Sequence, residues 1–457
     1  MQIEKFDQES LLTELKNCFD VKEIDKIARE SKFIQRSTSQ LSGQSFLMMN
    51  VFDSSDGKER SLTDSCDWLA DHFGINIKKQ SLDERYNTHA VSFIKTCFNR
   101  VLQIVNEGVM DRDLELPFSK IQLVDSTSFQ IPEDLATFYE GYKGNGGKAI
   151  LKMHLNYNLL NGEVTDICLT DGSANDNLYK LGKGEEIIPN CLYLRDLGYF
   201  DLKHFIKLDK DDAYFLSRAK TNAAYSMLNK KGEIERINIA NYLPEPGQTK
   251  ELKEVYIGCT NKKLKARLIM QAVPEEVAEK RLKKLEEYQS KHKKANISEQ
   301  RKAMCFFNMY ITNAPEEILT TEIVRLVYTL RWQIELMFKI WKSLFKIDQV
   351  KKMSIFRFEC YIYSKLIAVL LTLHIHNKLG QFLWDEEEFE LSPMKAAKLI
   401  KKKLTGLMDG LLTRGKKLAN WIDQTTKLLI MRGKKSIRKL KGEPPKPTAW
   451  KIIKSLA

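Results

Sequence analysis

The sequence predicts an α/β protein: a domain of strands and helices interrupted by a mainly β insertion and flanked at both ends by helical regions. Three observations carry this. Apolar residues recur at helical spacing up to about residue 110, the period changes to two from Ile121, and beyond Lys342 it returns to helix as far as a strongly basic end. At 457 residues the chain exceeds one typical core, and its 43% hydrophobic content is ordinary for a globular protein.

The first 110 residues divide into two helix pairs. One runs from Val21 to Phe52 around the turn RSTSQLSGQS, and the other from Ser61 to Leu102 around a turn from Gly74 to Lys79. Leu62, Trp68, Leu69 and Phe73 supply the apolar face of the second pair. The segment from Ser81 is expected to carry Arg85, Tyr86 and His89 outward, a helix-turn-helix arrangement whose second helix suits a DNA major groove. Short helix pairs of this kind also occur in purely structural α domains.

The alternating stretch opens with IQLVDSTSFQI, which places Ile121, Leu123 and Asp125 on one face. LKMHLNYNLL and EVTDICLT then flank Asn161-Gly162, a two-residue hairpin signal. After a short helix from Asn175 to Leu181, a strand from Asn190 to Arg195 puts Leu192, Leu194 and Asp196 on one face. A helix from Phe200 to Leu208 and the strand AYFLSRAK follow. Asp125 and Asp196 thus close strands on the side of their apolar residues, where a carboxylate is costly unless a cation compensates it. A turn or helix-cap role is the structural alternative for each.

Residues 221 to 315 interrupt the pattern with strands at Glu233–Ile239, Lys253–Cys259 and Leu264–Ala272, a charged helix from Pro274 to about Lys294, and the strand FFNMYIT. The runs KRLKK and KHKK in that helix suit either phosphate contact or a solvated face. The stretch YTLRWQIELMFKIWK, Tyr328 to Lys342, then places Tyr328, Arg331, Glu335 and Lys342 within an arc of about 60° on one helix. Leu330, Ile334, Met337, Ile340, Trp341 and Leu344 form the opposite, core-facing stripe. One carboxylate between two cations on a packed helix suits a metal-assisted phosphate site, and it also fits a solvated charged face.

Ile355 to Leu379 reads as a buried apolar helix, since Ser364, Lys365 and His374 interrupt a run too short for a clean membrane span. Trp384 to Glu390 reads as an acidic linker, Ser392 to Met431 as amphipathic helix, and RGKKSIRKLKGEPPKP as a mobile basic tail. From Lys395 onward there are 18 Lys and Arg against three Asp and Glu, so the formal net charge of +13 is a terminal surplus. That distribution points to a polyanion, nucleic acid ahead of an anionic membrane surface. Eight scattered cysteines without a CxxC speak for reduced thiols and against zinc, and MQIEKFDQES lacks signal-peptide features.

The spacing Y-x2-R-x3-E-x6-K of Tyr328, Arg331, Glu335 and Lys342 resembles the signature of the insertion-sequence-4 family of bacterial DDE transposases. Asp125 in LVDSTSFQIP and Asp196 in LRDLGYF match the contexts of that family's two aspartates, and the 139 residues from Asp196 to Glu335 leave room for its β-strand insertion. The resemblance covers residues 110 to 380. It implies an RNase H-like catalytic domain (111–220 and 316–380) split by the insertion (221–315), a helical DNA-end-binding domain (1–110) and a helical basic carboxy-terminal region (381–457). It further implies that Asp125, Asp196 and Glu335 are catalytic and hold two Mg²⁺ or Mn²⁺ ions, while Tyr328, Arg331 and Lys342 are DNA-binding, Arg331 and Lys342 gripping phosphates beside the cut and Tyr328 orienting one of them.

Relatives that form a hairpin intermediate place a Trp, some 20 residues before the Tyr, against a flipped base. Here Phe307 or Asn308 takes that place, a departure, with Phe307 suited to stack as Trp does or to pack in the core, and Trp332 is a second aromatic near the site with the same two roles open to it. The expected activity is cut-and-paste transposition by a homodimer on terminal inverted repeats, in the cytoplasm at the nucleoid, with no membrane partner. A catalytically silent DNA-binding derivative or repressor and a general RNase H-like nuclease are the alternatives.

Overall fold

The computed structural model describes every residue except 1–5, 37–38, 54–60, 110–114, 143–146, 175–185, 221–222, 246, 259–262, 293–296, 298, 414–415 and 437–446. The amino-terminal helices are α1 (Gln8–Cys18), α2 (Val21–Glu30), α3 (Gly43–Phe52), α4 (Leu62–Phe73), α5 (Lys79–Glu84) and α6 (Thr88–Glu107). Their starts are set by side-chain caps: Ser61 and Asp64 form a capping box on α4, and Asn87 accepts from the first turn of α6.

The strands β1 (Lys120–Gln130), β2 (Ile150–Asn158), β3 (Val164–Asp171), β4 (Cys191–Arg195) and β5 (Tyr214–Arg218) follow, with α7 (Leu202–Lys210) between the last two. Next come β6 (Tyr225–Leu228), β7 (Ile234–Arg236), β8 (Thr249–Ile257), β9 (Leu264–Ala272), α8 (Glu275–His292), α9 (Glu299–Ala303) and β10 (Phe307–Thr312). Among the described residues ten strands join one sheet in the order β3-β2-β1-β4-β5-β10-β9-β8-β6-β7. β1, β4 and β5 are mutually parallel, and β10 runs antiparallel to both β5 and β9, so the inserted strands extend the first five directly.

The remainder is helical: α10 (Val324–Tyr328), α11 (Trp332–Ser343), α12 (Ile355–Glu387), α13 (Pro393–Lys402), α14 (Leu404–Thr413), α15 (Lys416–Arg432) and α16 (Ala449–Lys454). The 33-residue α12 is long and apolar enough to cross a membrane, but most of it is buried inside the protein. It packs against α6, α3 and α13. Lys378 Nζ and His374 Nε2 of α12 reach Glu14 of α1 at 2.8 and 2.6 Å.

Both sheet faces are covered, and strand alternation sorts residues between two cores. Ile121, Leu123, Leu192, Leu194, Leu216 and Tyr310 lie in the large core shared with the amino-terminal helices, α11 and α12. Cys191, Tyr193, Phe215, Met309 and Ile311 face a second core closed by α7 and by residues of β6, β8 and β9.

Several expectations change. Arg85, Tyr86 and His89 face inward: Arg85 donates to the Phe33 carbonyl at 2.9 Å, Tyr86 to Asn50 Oδ1 at 3.0 Å, and His89 Nδ1 lies 3.1 Å from the Ser31 carbonyl. The second helix of the expected pair is broken at Asn87, whose cap starts α6, so these polar groups serve the packing of the helices. Asp125 lies within β1, which continues to Gln130 after its pairing with β4 ends at Leu123. The sequence gives no sign of β6. The acidic linker belongs largely to α12, which ends with Glu388 at φ +48°. The predicted helix at 175–181 and most of the basic tail lie outside the described residues; beyond them α16 buries Ile452 and Ile453.

The Asn161-Gly162 hairpin is wider than a two-residue turn. Gly162 donates to the Asn158 carbonyl at 2.9 Å and adopts φ +86°, and its own carbonyl accepts from Asn377 of α12 at 3.1 Å. A Cβ at this position would stand 2.1 Å from Asn377 Nδ2. Gly162→Ala should therefore destabilise the full chain by about 1–3 kcal/mol and lower its melting temperature; an unchanged melting curve would show that the turn can shift freely.

Candidate active site

The parallel register of β1 on β4 pairs Ile121 with Leu192 and Leu123 with Leu194. Continuing it by two residues sets Asp196 beside Asp125, and both inherit the face of those leucines, the side of the sheet that carries α11. Asp196 follows the last residue of β4 and leads into a 3-10 turn, Leu197–Tyr199.

The segment expected as one helix is α10, a 3-10 turn over Thr329–Arg331, and α11 in succession. The 3-10 turn stacks residues three apart, which sets Arg331 over Tyr328. Leu330, Ile334, Met337, Ile340 and Trp341 are buried as expected, and this fixes the rotation of α11 about its axis.

Five of the predicted residues meet. Tyr328 donates its hydroxyl to Asp196 Oδ1 at 3.3 Å. Arg331 Nη1 donates to Asp125 Oδ2 at 3.2 Å, and its Nη2 donates to Glu335 Oε1. Lys342 lies farther along β1, where Nζ donates to the Ser128 carbonyl at 2.9 Å. Trp332 is 60% exposed and lines a groove of about 1000 Å³ with Tyr328, Thr329, Arg331, Arg325 and Gln271. Phe307 is the exception: the alternation of β10 turns it towards the second core, on the sheet face away from the carboxylates. The face it was expected to occupy holds Asn308 and Tyr310, and the Tyr310 ring packs 5.2 Å from that of Tyr328.

Three arginines complete this face. Arg218 is the register partner of Tyr310 across β5 and β10. Arg281 Nη2 donates to Asn308 Oδ1 at 2.8 Å, and Arg325 lines the groove. Burial raises the Tyr310 hydroxyl pKa, and the charges of Arg325, Arg218 and Arg281 oppose it. The sequence offers no signal for them, because they are single residues on three elements joined only by the sheet and its covering helix.

The electrostatics are dominated by desolvation. Burial pushes the Asp125 carboxyl up to about 6; the Ser126 amide and Arg331 pull it down, while the charges of Asp196 and Glu335 push it up. Burial and Asp196 raise Tyr328. Arg331 is held above its ordinary value, burial being outweighed by Glu335, Asp196 and Tyr328. Burial lowers Lys342, against the charge of Asp348.

Asp125, Asp196 and Glu335 offer the oxygen donors that hard divalent cations take, and Asp125 stands where burial disfavours its charged form. The donor set therefore fits a divalent metal. As arranged, no three acidic, His or Cys groups among the described residues converge closely enough to share an ion, and the Arg331 guanidinium bonds two of the three carboxylates.

The family defined as the transposase DDE domain matches residues 116–371, from just before β1 into α12, and the chain belongs to that family. More particularly, it is an enzyme of the insertion-sequence transposase class. It is 36% identical over 399 residues to the transposase for insertion sequence element IS1151 of Clostridium perfringens, covering 84% of each chain. To the transposase for insertion sequence element IS231F of Bacillus thuringiensis subsp. israelensis it is 32% identical over 432 residues, covering 91% of this chain and 90% of that one.

The raised Asp125 has a consequence for stability. Its folded pKa of about 6 exceeds the ordinary 3.8, so the folded state binds the proton more tightly than the unfolded state. The resulting destabilisation is full above pH 6 and fades as the pH falls from 6 towards 3.8. Asp125→Asn should accordingly stabilise the metal-free chain at pH 8 by on the order of 2 kcal/mol, with the gain vanishing near pH 4. Thermal melts of both proteins across that range check this, and an equal or lower melting temperature for the variant at pH 8 would refute it.

Proposed function

We propose that Asp125, Asp196 and Glu335 are the acidic triad of an RNase H-like domain, and that the chain cuts and joins DNA at the ends of its own element. The observation that carries this reading is their placement on one sheet face, from two adjacent parallel strands and a helix far along the chain, with Arg331 bonded to both Asp125 and Glu335. The strand order β3-β2-β1-β4-β5, with β1, β4 and β5 parallel, supports the RNase H-like assignment. Two Mg²⁺ or Mn²⁺ ions held by the three carboxylates would supply activation of the attacking oxygen and stabilisation of the leaving one.

The protein's own groups then have separable tasks. Tyr328 orients Asp196 through its hydroxyl, and with Arg331, Lys342 and the Asp125 and Asp196 contexts it supports membership of the insertion-sequence-4 group. Arg331, Lys342, Arg218, Arg281 and Arg325 provide phosphate contacts around the carboxylates. Trp332, exposed at the groove, is the aromatic available to stack on a base, a role that the placement of Phe307 does not support.

Within this reading residues 1–110 recognise the terminal repeats, 111–220 and 316–380 form the catalytic domain, 221–315 the insertion, and 381–457 a basic DNA-binding region. Two copies pair the two ends of double-stranded element DNA before joining them to target DNA, in the cytoplasm at the nucleoid.

Asp125→Asn, Asp196→Asn and Glu335→Gln should each reduce metal-dependent nicking of an end duplex by about a thousandfold or more while retaining a gel shift. Undiminished nicking by any of them would remove that residue from the triad. A parent chain that shifts the duplex but never nicks it with any divalent metal would establish the silent DNA-binding alternative.

Arg438, Lys439, Lys441 and Lys446 are proposed as nonspecific phosphate contacts. Replacing all four by Gln should flatten the salt dependence of DNA binding by up to about three to four units of slope. An unchanged slope would assign the electrostatic contact elsewhere.

A further inference from the structure

The Arg331 guanidinium is shared between two carboxylates brought in by different elements, Asp125 of β1 at 3.2 Å and Glu335 of α11. Its side chain is only 14% exposed, so solvent and salt screen these contacts weakly. A divalent cation coordinated by the same two oxygens would face a positive charge already bonded to them, and like charges in so buried a place exclude one another.

We infer that Arg331 is an internal counter-cation that blocks metal loading at Asp125 and Glu335 until a DNA phosphate draws its guanidinium away. The inference rests on the assignment of these carboxylates as the metal-binding set. Two observations make Arg331 exchangeable rather than permanently locked. Its Nε is buried without a hydrogen-bond partner, so the guanidinium is incompletely satisfied where it stands. It also lines the groove shared with Tyr328, Trp332 and Arg325, which gives it an open side to turn towards.

A phosphate entering that groove offers the two parallel acceptors that suit a guanidinium fork. Moving onto it frees Asp125 Oδ2 and Glu335 Oε1 together, because one group holds both. Arg331 acts here as a positioning residue: it decides when the carboxylates are available. DNA binding and metal binding then become reciprocal, each raising affinity for the other by the same factor. A chain without DNA would carry little loaded metal.

The test is Mn²⁺ affinity of the full chain, followed by electron paramagnetic resonance or calorimetry with and without a duplex from the element's terminus. The parent should bind Mn²⁺ about tenfold or more tighter when the duplex is present. Arg331→Gln should bind it about tenfold tighter than the parent without DNA, and gain much less on adding the duplex. Arg331→Lys, which keeps the charge, should remain close to the parent without DNA. Phosphate oxygens acting alone would raise parent and Arg331→Gln equally, and that result would overturn the inference.

Asp125→Asn separates this from the underlying reading. If it keeps parental Mn²⁺ binding, the carboxylate assignment fails. If it loses Mn²⁺ while Arg331→Gln binds no tighter than the parent, the assignment stands and the role given to Arg331 falls. Should Arg331→Gln fail to give a cooperative melt, the parent with and without duplex decides: an affinity unmoved by DNA refutes the inference.

Discussion

Parallel pairing of β1 with β4 is the constraint from which the rest of the site follows, because a strand exposes alternate residues to opposite faces. A slip of one residue would turn Asp125 towards α7 and the second core, away from α11. What forbids the slip is that both faces of these strands are buried, with Leu192 and Leu194 on one side and Cys191 and Tyr193 on the other. Glu335 obeys a second periodicity. The buried stripe from Leu330 to Trp341 fixes the rotation of its helix, so the site forms where the period of a strand meets that of a helix.

The inserted strands reach the site directly through Tyr310 and Gln271, and they also support it through an anchor. Arg267 of β9 is almost fully buried, pairs with Glu251 of β8, and donates to the carbonyls of Ala314 at 2.8 Å and Leu319 at 2.7 Å. Those carbonyls belong to the segment that leads from β10 to α10. The Arg267–Glu251 pair thereby ties the path of the chain ahead of Tyr328 to the sheet, and a buried ion pair of this kind specifies position more than it adds stability.

Much of this was legible because it rests on local pattern. The alternation from Ile121 and from Asn190 correctly gave strands and placed both aspartates on the leucine face. The stripe opposite Tyr328, Arg331 and Glu335 correctly gave the buried side of α11. Pairing between distant segments was not legible: nothing in the sequence shows that β10 bridges β5 and β9, so the arginines around Tyr310 and the turn of Phe307 towards the second core stayed hidden. Arg85, Tyr86 and His89 were misread for a related reason. Polar side chains suggest solvent, yet these meet a carbonyl or amide oxygen on α3 or on the segment between α2 and α3.

The amino-terminal helices bury their apolar sides against α12, as α6, α3 and α1 all pack on it. That partner begins at Ile355, more than two hundred residues after α6 ends. On a ribosome adding about 5–20 residues per second, helices completed early wait on the order of ten to fifty seconds before their cover is synthesised. During that interval the nascent chain shows a greasy surface to the crowded space around the ribosome, and chaperones that shield such surfaces have time to engage it. A polypeptide halted before α12 would never acquire the cover at all, so prematurely terminated products of this gene are candidates for rapid degradation rather than for an independent existence.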